Sequence, residues 1–153
     1  MITFKPITED LLEIVLEIIN SNSSYNILEN GNSFRSIEEV KREFLNQDTE
    51  SYIVIFENKY VGIIDFLKNN PKDNCPWIGL FMIHEAYHSM GYGKKVYDYF
   101  EEKLKQQNYK KIRIGILQKN IVGKKFWTSL GFKFYKISPW QKNLVECFEK
   151  LLI

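Results

Sequence analysis

The stretch Trp77-Ile78-Gly79-Leu80-Phe81-Met82-Ile83-His84-Glu85-Ala86-Tyr87-His88-Ser89-Met90-Gly91-Tyr92-Gly93-Lys94-Lys95 carries most of the information in this chain. Trp77 to Ile83 is an apolar run of strand length, which predicts a strand buried on both faces. A short polar loop follows, and then a glycine-rich turn, His88 to Gly93, opens a helix on which Val96, Tyr97, Phe100 and Leu104 recur at helical spacing. The first N–H groups of a helix have no intrahelical acceptor and carry partial positive charge, so such a turn is suited to an anion. Gly91 and Gly93 admit a phosphate without a Cβ in the way, and Lys94 and Lys95 add positive charge nearby. A dinucleotide-binding turn needs a third glycine where Val96 stands. A Walker loop needs a glycine at His88 and a hydroxyl at Lys95.

Outward from this stretch the pattern alternates strands and helices. Ile2 to Ile7 alternates as a strand, and Thr8-Glu9-Asp10 predicts a hydroxyl-capped helix start ahead of Leu11, Leu12, Val15, Leu16, Ile18 and Ile19. The polar segment 20–32 predicts a loop or lid, and Ser36-Ile37-Glu38-Glu39 is a capping box that begins a second helix. Residues 51–56 and 60–67 pair as a hairpin across Glu57-Asn58-Lys59, and 69–74 form a turn. After the long helix come a strand at 111–117, a helix at 121–130 stopped by Gly131, and two last strands at 132–138 and 144–150. The order predicts one α/β domain over 1–153, with helices on both faces of its sheet.

Composition narrows the function classes. The 153 residues are 44% hydrophobic and 26% charged with a formal net charge of +2, as expected of an ordinary globular chain. Lysines and acids are interspersed without a basic run, so no nucleic acid is implied. No apolar stretch approaches the ~20 residues that span a bilayer, and the N-terminus lacks the basic-then-apolar order of a secretion signal. Cys75 and Cys147 are far apart and fit no metal or redox spacing, so a reduced, cytoplasmic protein is expected.

The glycine turn resembles motif A of the GNAT superfamily of N-acetyltransferases, R/Q-x-x-G-x-G/A, written here His88-x-x-Gly91-x-Gly93, with His at the usual Arg or Gln position. Motif B of that family, N-x-x-x-x-x-F/L-Y/W-x-x-x-G-F, is similar to Asn120-Ile121-Val122-Gly123-Lys124-Lys125-Phe126-Trp127-Thr128-Ser129-Leu130-Gly131-Phe132. The resemblance implies a GNAT fold, a mixed and mostly antiparallel sheet of about seven strands. It implies acetyl-CoA as co-substrate and transfer of its acetyl group to a primary amine by direct attack. The acceptor would be a small molecule, with a protein N-terminus or lysine as the other option, and the chain a monomer or homodimer. The cofactor contacts it implies are the backbone of Phe81, Met82 and Ile83 for the pantetheine arm. His88, Ser89, Met90, Gly91, Tyr92, Gly93 and Lys94 would hold the pyrophosphate, and Asn120 and Trp127 would lie near the thiol end.

The proton carriers are less evident. The family's usual acid is a motif B tyrosine, and Trp127 holds that position with an indole N–H far too weak to replace it. Trp77 stands where some relatives carry an acidic base. Tyr135 and His84 are the remaining catalytic candidates, and Tyr25 and Asp65 are candidates for binding a cationic acceptor. The segments 25–35 and 138–141 are candidate acceptor walls. Catalysis by positioning alone, with water moving protons, is a further option, as is a lapsed acyl-CoA-binding module. Finally, His84-Glu85-Ala86-Tyr87-His88 spells H-E-x-x-H, the zinc-peptidase string, but leaves no room for the long helix that motif requires, so no metal is expected.

Overall fold

The computed structural model describes all residues, Met1–Ile153. Seven strands form one sheet: β1 (Ile2–Pro6), β2 (Glu50–Phe56), β3 (Lys59–Asn70), β4 (Cys75–Ile83), β5 (Lys111–Leu117), β6 (Lys133–Trp140) and β7 (Asn143–Leu151). Their spatial order is β1-β2-β3-β4-β5-β7-β6. Every neighbouring pair is antiparallel except β4 and β5, which are joined by the crossover helix α4 (Tyr92–Gln106). The remaining helices are α1 (Leu12–Ser21), α2 (Ser23–Asn30), α3 (Ile37–Phe44) and α5 (Ile121–Ser129).

Helices cover both faces, as the alternation of the strands requires. On one face Val96, Tyr97, Phe100 and Leu104 of α4 and Trp127 of α5 pack on Val54, Ile64, Ile78, Ile112 and Ile114. On the other, Leu12, Val15, Ile18 and Ile19 of α1 and Val40 and Phe44 of α3 pack on Ile53, Ile63 and Met82. The Ser36 capping box is complete: Ser36 Oγ accepts from Glu39 N–H and Glu39 reaches back to the Ser36 N–H. The Glu57-Asn58 turn closes the β2–β3 hairpin with both residues at positive φ, 52° and 63°, the conformation that matches strand twist in a two-residue loop.

Three expectations change. Thr8 does not cap a helix: its hydroxyl donates to the Asp10 carboxylate, and a 3₁₀ turn at Glu9–Leu11 leads into α1. The expected loop at 20–32 contains α2, a helix whose C-terminal residue is followed by Gly31 at φ 84°. Its Asn26 side chain is fully buried and donates to the carbonyls of Ile19 and Ser33. Polar composition here reflects local backbone capping, which the hydrophobic pattern does not reveal. Third, β4 is not buried on both faces along its length. It pairs with β5 only at Trp77 and Ile78, and Gly79, next in sequence, is exposed.

Candidate active site

The departure of β4 from β5 creates the site. Against β3, Asp65 is opposite Leu80 and Phe66 is opposite Ile78, so Gly79 is the extra residue of a β-bulge. A bulge bends its strand and increases local twist. Beyond Ile78 the two parallel strands splay, and a cleft of about 930 Å³ opens between them. Its walls come from β4, β5, the α1–α2 junction, the start of α4 and the start of α5.

One side of β4 is thereby left as a free strand edge. The His84 N–H bonds the Val61 carbonyl of β3. By strand alternation the backbone groups of Met82 also face β3, while those of Phe81 and Ile83 face the cleft. Phe81 and Ile83 therefore suit the expected role of pairing with an extended ligand. Met82 also lines the cleft, but its backbone is turned to β3 and its side chain packs in the α1–α3 layer. The Ile83 carbonyl is already engaged, since Asn22 Nδ2 lies 3.1 Å and His88 Nε2 2.7 Å from it.

The glycine turn sits at the end of this edge. Ser89 and Gly91 take left-handed conformations, φ 63° and 77°, and Gly91 is the N-cap of α4. The first intrahelical bond is from Lys95 N–H to the Gly91 carbonyl, so the N–H groups of Tyr92, Gly93 and Lys94 are unspent. Gly93 presses on α5: a Cβ there would lie 3.1 Å from the Phe126 ring. Ser89, Gly91, Tyr92, Gly93 and Lys94 line the cleft, whereas Met90 is exposed and outside it. The Lys94 ammonium is paired with Asp98 at 2.7 Å, so what Lys94 offers the turn is its N–H. The unspent donors, the positive helix end and the uncovered glycine backbone fit the pyrophosphate of CoA.

Motif B faces the same cleft. Asn120 caps α5, its Oδ1 accepting from the Gly123 N–H at 2.9 Å, which leaves Nδ2 for a ligand. Trp127 is 6% exposed and packs edge-on against Phe81, Tyr97, Phe126 and Phe132. It is a core residue with one border on the cleft, and it has no proton to give at neutral pH.

The two catalytic candidates named from sequence both lie outside the cleft lining. Tyr135 has its ring 4.6 Å from the Arg113 guanidinium, and its buried hydroxyl has only the weak Cys147 thiol beside it. Burial pushes its phenol up to about 12. Arg113 in turn is held by Asp73 and Glu149. Tyr135 sits on β6, separated from the splay by β7, and the order of strands in the sheet is not written in any local pattern. His84 caps the 3₁₀ turn Glu85–Tyr87, its Nδ1 accepting from the Ala86 N–H, with Nε2 3.0 Å from Glu17 of α1.

These contacts also dispose of the zinc reading. The H-E-x-x-H string forms a 3₁₀ turn rather than an α-helix, and both imidazoles are committed elsewhere, to Glu17 and to the Ile83 carbonyl.

Of the two acceptor candidates, Tyr25 borders the cleft and Asp65 stands behind its lining. Tyr25 of α2 lines the cleft, its hydroxyl 3.3 Å from Glu29 and its phenol pushed up to about 12 by burial. Glu29 pairs with Arg35, which also reaches Glu43. The Asn143 side chain, at the start of β7, donates to the Glu29 carbonyl at 2.7 Å. The β6–β7 hairpin that carries 138–141 thus meets the expected wall segment 25–35. Asp65 is 6% exposed, with Oδ1 accepting from Ser51 Oγ at 2.6 Å. Sequence reasoning missed Asn22 and named Glu29 and Arg35 only within the segment 25–35, because nothing in a polar stretch says which residues turn inward. It missed the role of Gly79 although a glycine inside a strand pattern is the signature of a bulge.

Comparison with known proteins agrees with this geometry. Residues 16–132 match the Acetyltransferase (GNAT) family. An acetyltransferase from Thermus thermophilus superposes with a TM-score of 0.86 at 17% identity, covering 99% of this chain and 97% of that one. A GNAT-family acetyltransferase from Staphylococcus aureus gives 0.72 at 21% identity over 100% of both chains. A spermidine N-acetyltransferase from Vibrio cholerae gives 0.71 at 12% identity, covering 99% and 94%. No curated protein sequence matches the chain. With a family match over most of its length and the splayed parallel pair in place, this chain belongs to the Acetyltransferase (GNAT) family.

Proposed function

We propose that the chain, as one unit over 1–153, is an acetyl-CoA-dependent N-acetyltransferase that acetylates a primary amine, small rather than macromolecular, in the cytoplasm. The observation that carries this is the free edge of β4 at the Phe81 backbone and the Ile83 N–H, which leads through residues 84–91 to the unspent N–H groups at the start of α4. A strand edge and a helix N-terminus in series match an extended arm that ends in a pyrophosphate. Acetyl-CoA supplies the thioester. The protein supplies the backbone edge of Phe81 and Ile83, the donors of Tyr92, Gly93 and Lys94, and the Asn120 amide, and it excludes water with Phe126 and Trp127. Holding amine and thioester together removes most of the entropic cost of a bimolecular attack. Amine acceptors also suit the named substrate of the spermidine N-acetyltransferase that shares the fold. Both cysteines are free and buried, in keeping with a reducing compartment. No helix is long and apolar enough to cross a membrane.

A second reading, an acyl-CoA-binding module without turnover, is favoured by Trp127, an indole buried where a proton donor is needed. Thermal shift with CoA and thiol release from acetyl-CoA with a panel of primary amines separate the two. The transferase reading expects both a raised Tm and amine-dependent thiol release. A raised Tm without release on any amine selects the binding module, and no shift with CoA rejects both.

A further inference from the structure

We propose that Asp65 is the proton acceptor for the incoming amine, reached from the cleft through the space left by the missing side chain of Gly79. This rests on the transferase reading and assigns it a base.

Asp65 stands on β3 opposite Leu80, at the bulge that opens the cleft. It is only 6% exposed, and Ser51 Oγ holds Oδ1 at 2.6 Å, which fixes the plane of the carboxylate. Oδ2 points toward β4. A Cβ placed on Gly79 would lie 3.1 Å from Oδ2, closer than to any other group. Gly79 lines the cleft and is itself exposed. Any other residue at 79 would stand between the carboxylate and the splay. Asp65 itself stands behind the cleft lining, with the Gly79 backbone between Oδ2 and the point where β4 and β5 part.

The surroundings strengthen Asp65 as a base. Burial raises the affinity of Asp65 for a proton, opposed by the hydroxyls of Ser51 and Thr49. The charged groups that face it are Glu43 of α3 and, beside Glu43, Arg35. α1 turns only apolar side chains to this face of the sheet, and β4 offers Gly79 and Leu80. No cation is seated on Asp65 itself, so an ammonium group is the natural partner of Oδ2.

Asp65 Oδ2 takes one proton from the R–NH₃⁺ acceptor, giving R–NH₂ and a neutral carboxylic acid. As the nitrogen–carbon bond to the acetyl group forms, the carbon–sulfur bond breaks. The nitrogen's surplus proton passes through water to the sulfur, giving R–NH–CO–CH₃ and CoA–SH. Asp65 then returns its proton to solvent. The acceptor class is a primary aliphatic amine that is protonated in solution. An aromatic amine, neutral at pH 7, has no need of Asp65.

The test compares wild type, Asp65→Asn and Gly79→Ala in thiol release from acetyl-CoA with a panel of primary aliphatic amines, alongside CoA binding by calorimetry. Asn keeps the shape and the Ser51 hydrogen bond, and the Gly79 backbone is not left-handed, so both variants are expected to fold. The expected result is CoA affinity within about twofold of wild type for both variants. For Asp65→Asn, kcat falls at least ~100-fold, on the scale of general-base losses, and the acidic limb of the kcat/KM profile disappears. For Gly79→Ala, kcat/KM falls several-fold with the limb retained. Amine turnover by Asp65→Asn within about threefold of wild type, or an unchanged acidic limb, overturns the Asp65 assignment and leaves the transferase reading intact. A wild type that binds CoA and turns over no amine overturns both.

Discussion

His88 Nε2 lies 2.7 Å from the carbonyl oxygen of Ile83, so the residue that opens the glycine turn is tied back to the last residue of the strand before it. The contact closes the polar loop into a rigid corner. It fixes the turn relative to the β4 edge. His88→Ala removes this tie. A hydrogen bond of this kind is worth about 1 kcal/mol net, so the expected outcome is a ~5-fold weaker Kd for CoA by calorimetry, with little change in Tm.

Gly91 meets no atom within 4 Å of an added Cβ, yet its φ is 77°. Space is therefore not the constraint; the left-handed backbone is. Gly91→Ala is expected to cost roughly 1–2 kcal/mol of stability, read as a lower urea midpoint. It should weaken CoA binding as well, because relaxing Gly91 re-aims the N–H groups of Tyr92 and Gly93.

Tyr135 presents the opposite situation, a buried hydroxyl with no good partner beyond the weak Cys147 thiol. Leaving such a group unsatisfied costs about 1–3 kcal/mol. Tyr135→Phe keeps the ring on the Arg113 guanidinium and removes the orphan oxygen. A raised Tm is expected, with kcat for any amine within about twofold of wild type. A large loss of kcat would show that the β6 phenol reaches the chemistry after all.

The pH dependence of stability follows from Asp65. Burial places its folded pKa above the unfolded value, so the folded state prefers the protonated form. The stabilisation from this group is fully present below the unfolded pKa of about 3.9 and is lost as pH rises through the raised folded pKa. At neutral pH the buried carboxylate is a liability. Asp65→Asn should raise Tm at pH 7 by ~3 °C, equivalent to about 1 kcal/mol for a domain of this size, and the gain should vanish in acid. Thermal melts of both proteins across pH check this.

Trp127→Ala removes an indole that touches four aromatic rings. A loss of about 3–5 kcal/mol is expected, seen as a cooperative unfolding transition at much lower denaturant.

The amino-acid sequence by itself pointed to the family and to the order of the strands and of every helix but α2. Period-two and helical spacings, the Ser36–Glu39 box and the two glycine-bearing motifs are local signals, each written within a dozen or so residues. They located the glycine turn at His88–Gly93, the Asn120 motif and the strand from Trp77 to Ile83, all of which the structure brings to one cleft. Only the tertiary structure decided which residues meet. The place of Tyr135 depends on strand order: β7 intervenes between β5 and β6, which carries the phenol away from the splay. Met82 depends on which side of β4 pairs with β3, a matter of one residue in register. α2 was hidden because its inward contacts are made by Asn26 and Tyr25 rather than by an apolar stripe. The pairing of Asp65 with Gly79 joins two strands through a bulge that exists only once β3 and β4 have zipped together. Local chemistry fixes where a phosphate can sit, whereas the carboxylate that faces an amine is set by long-range pairing.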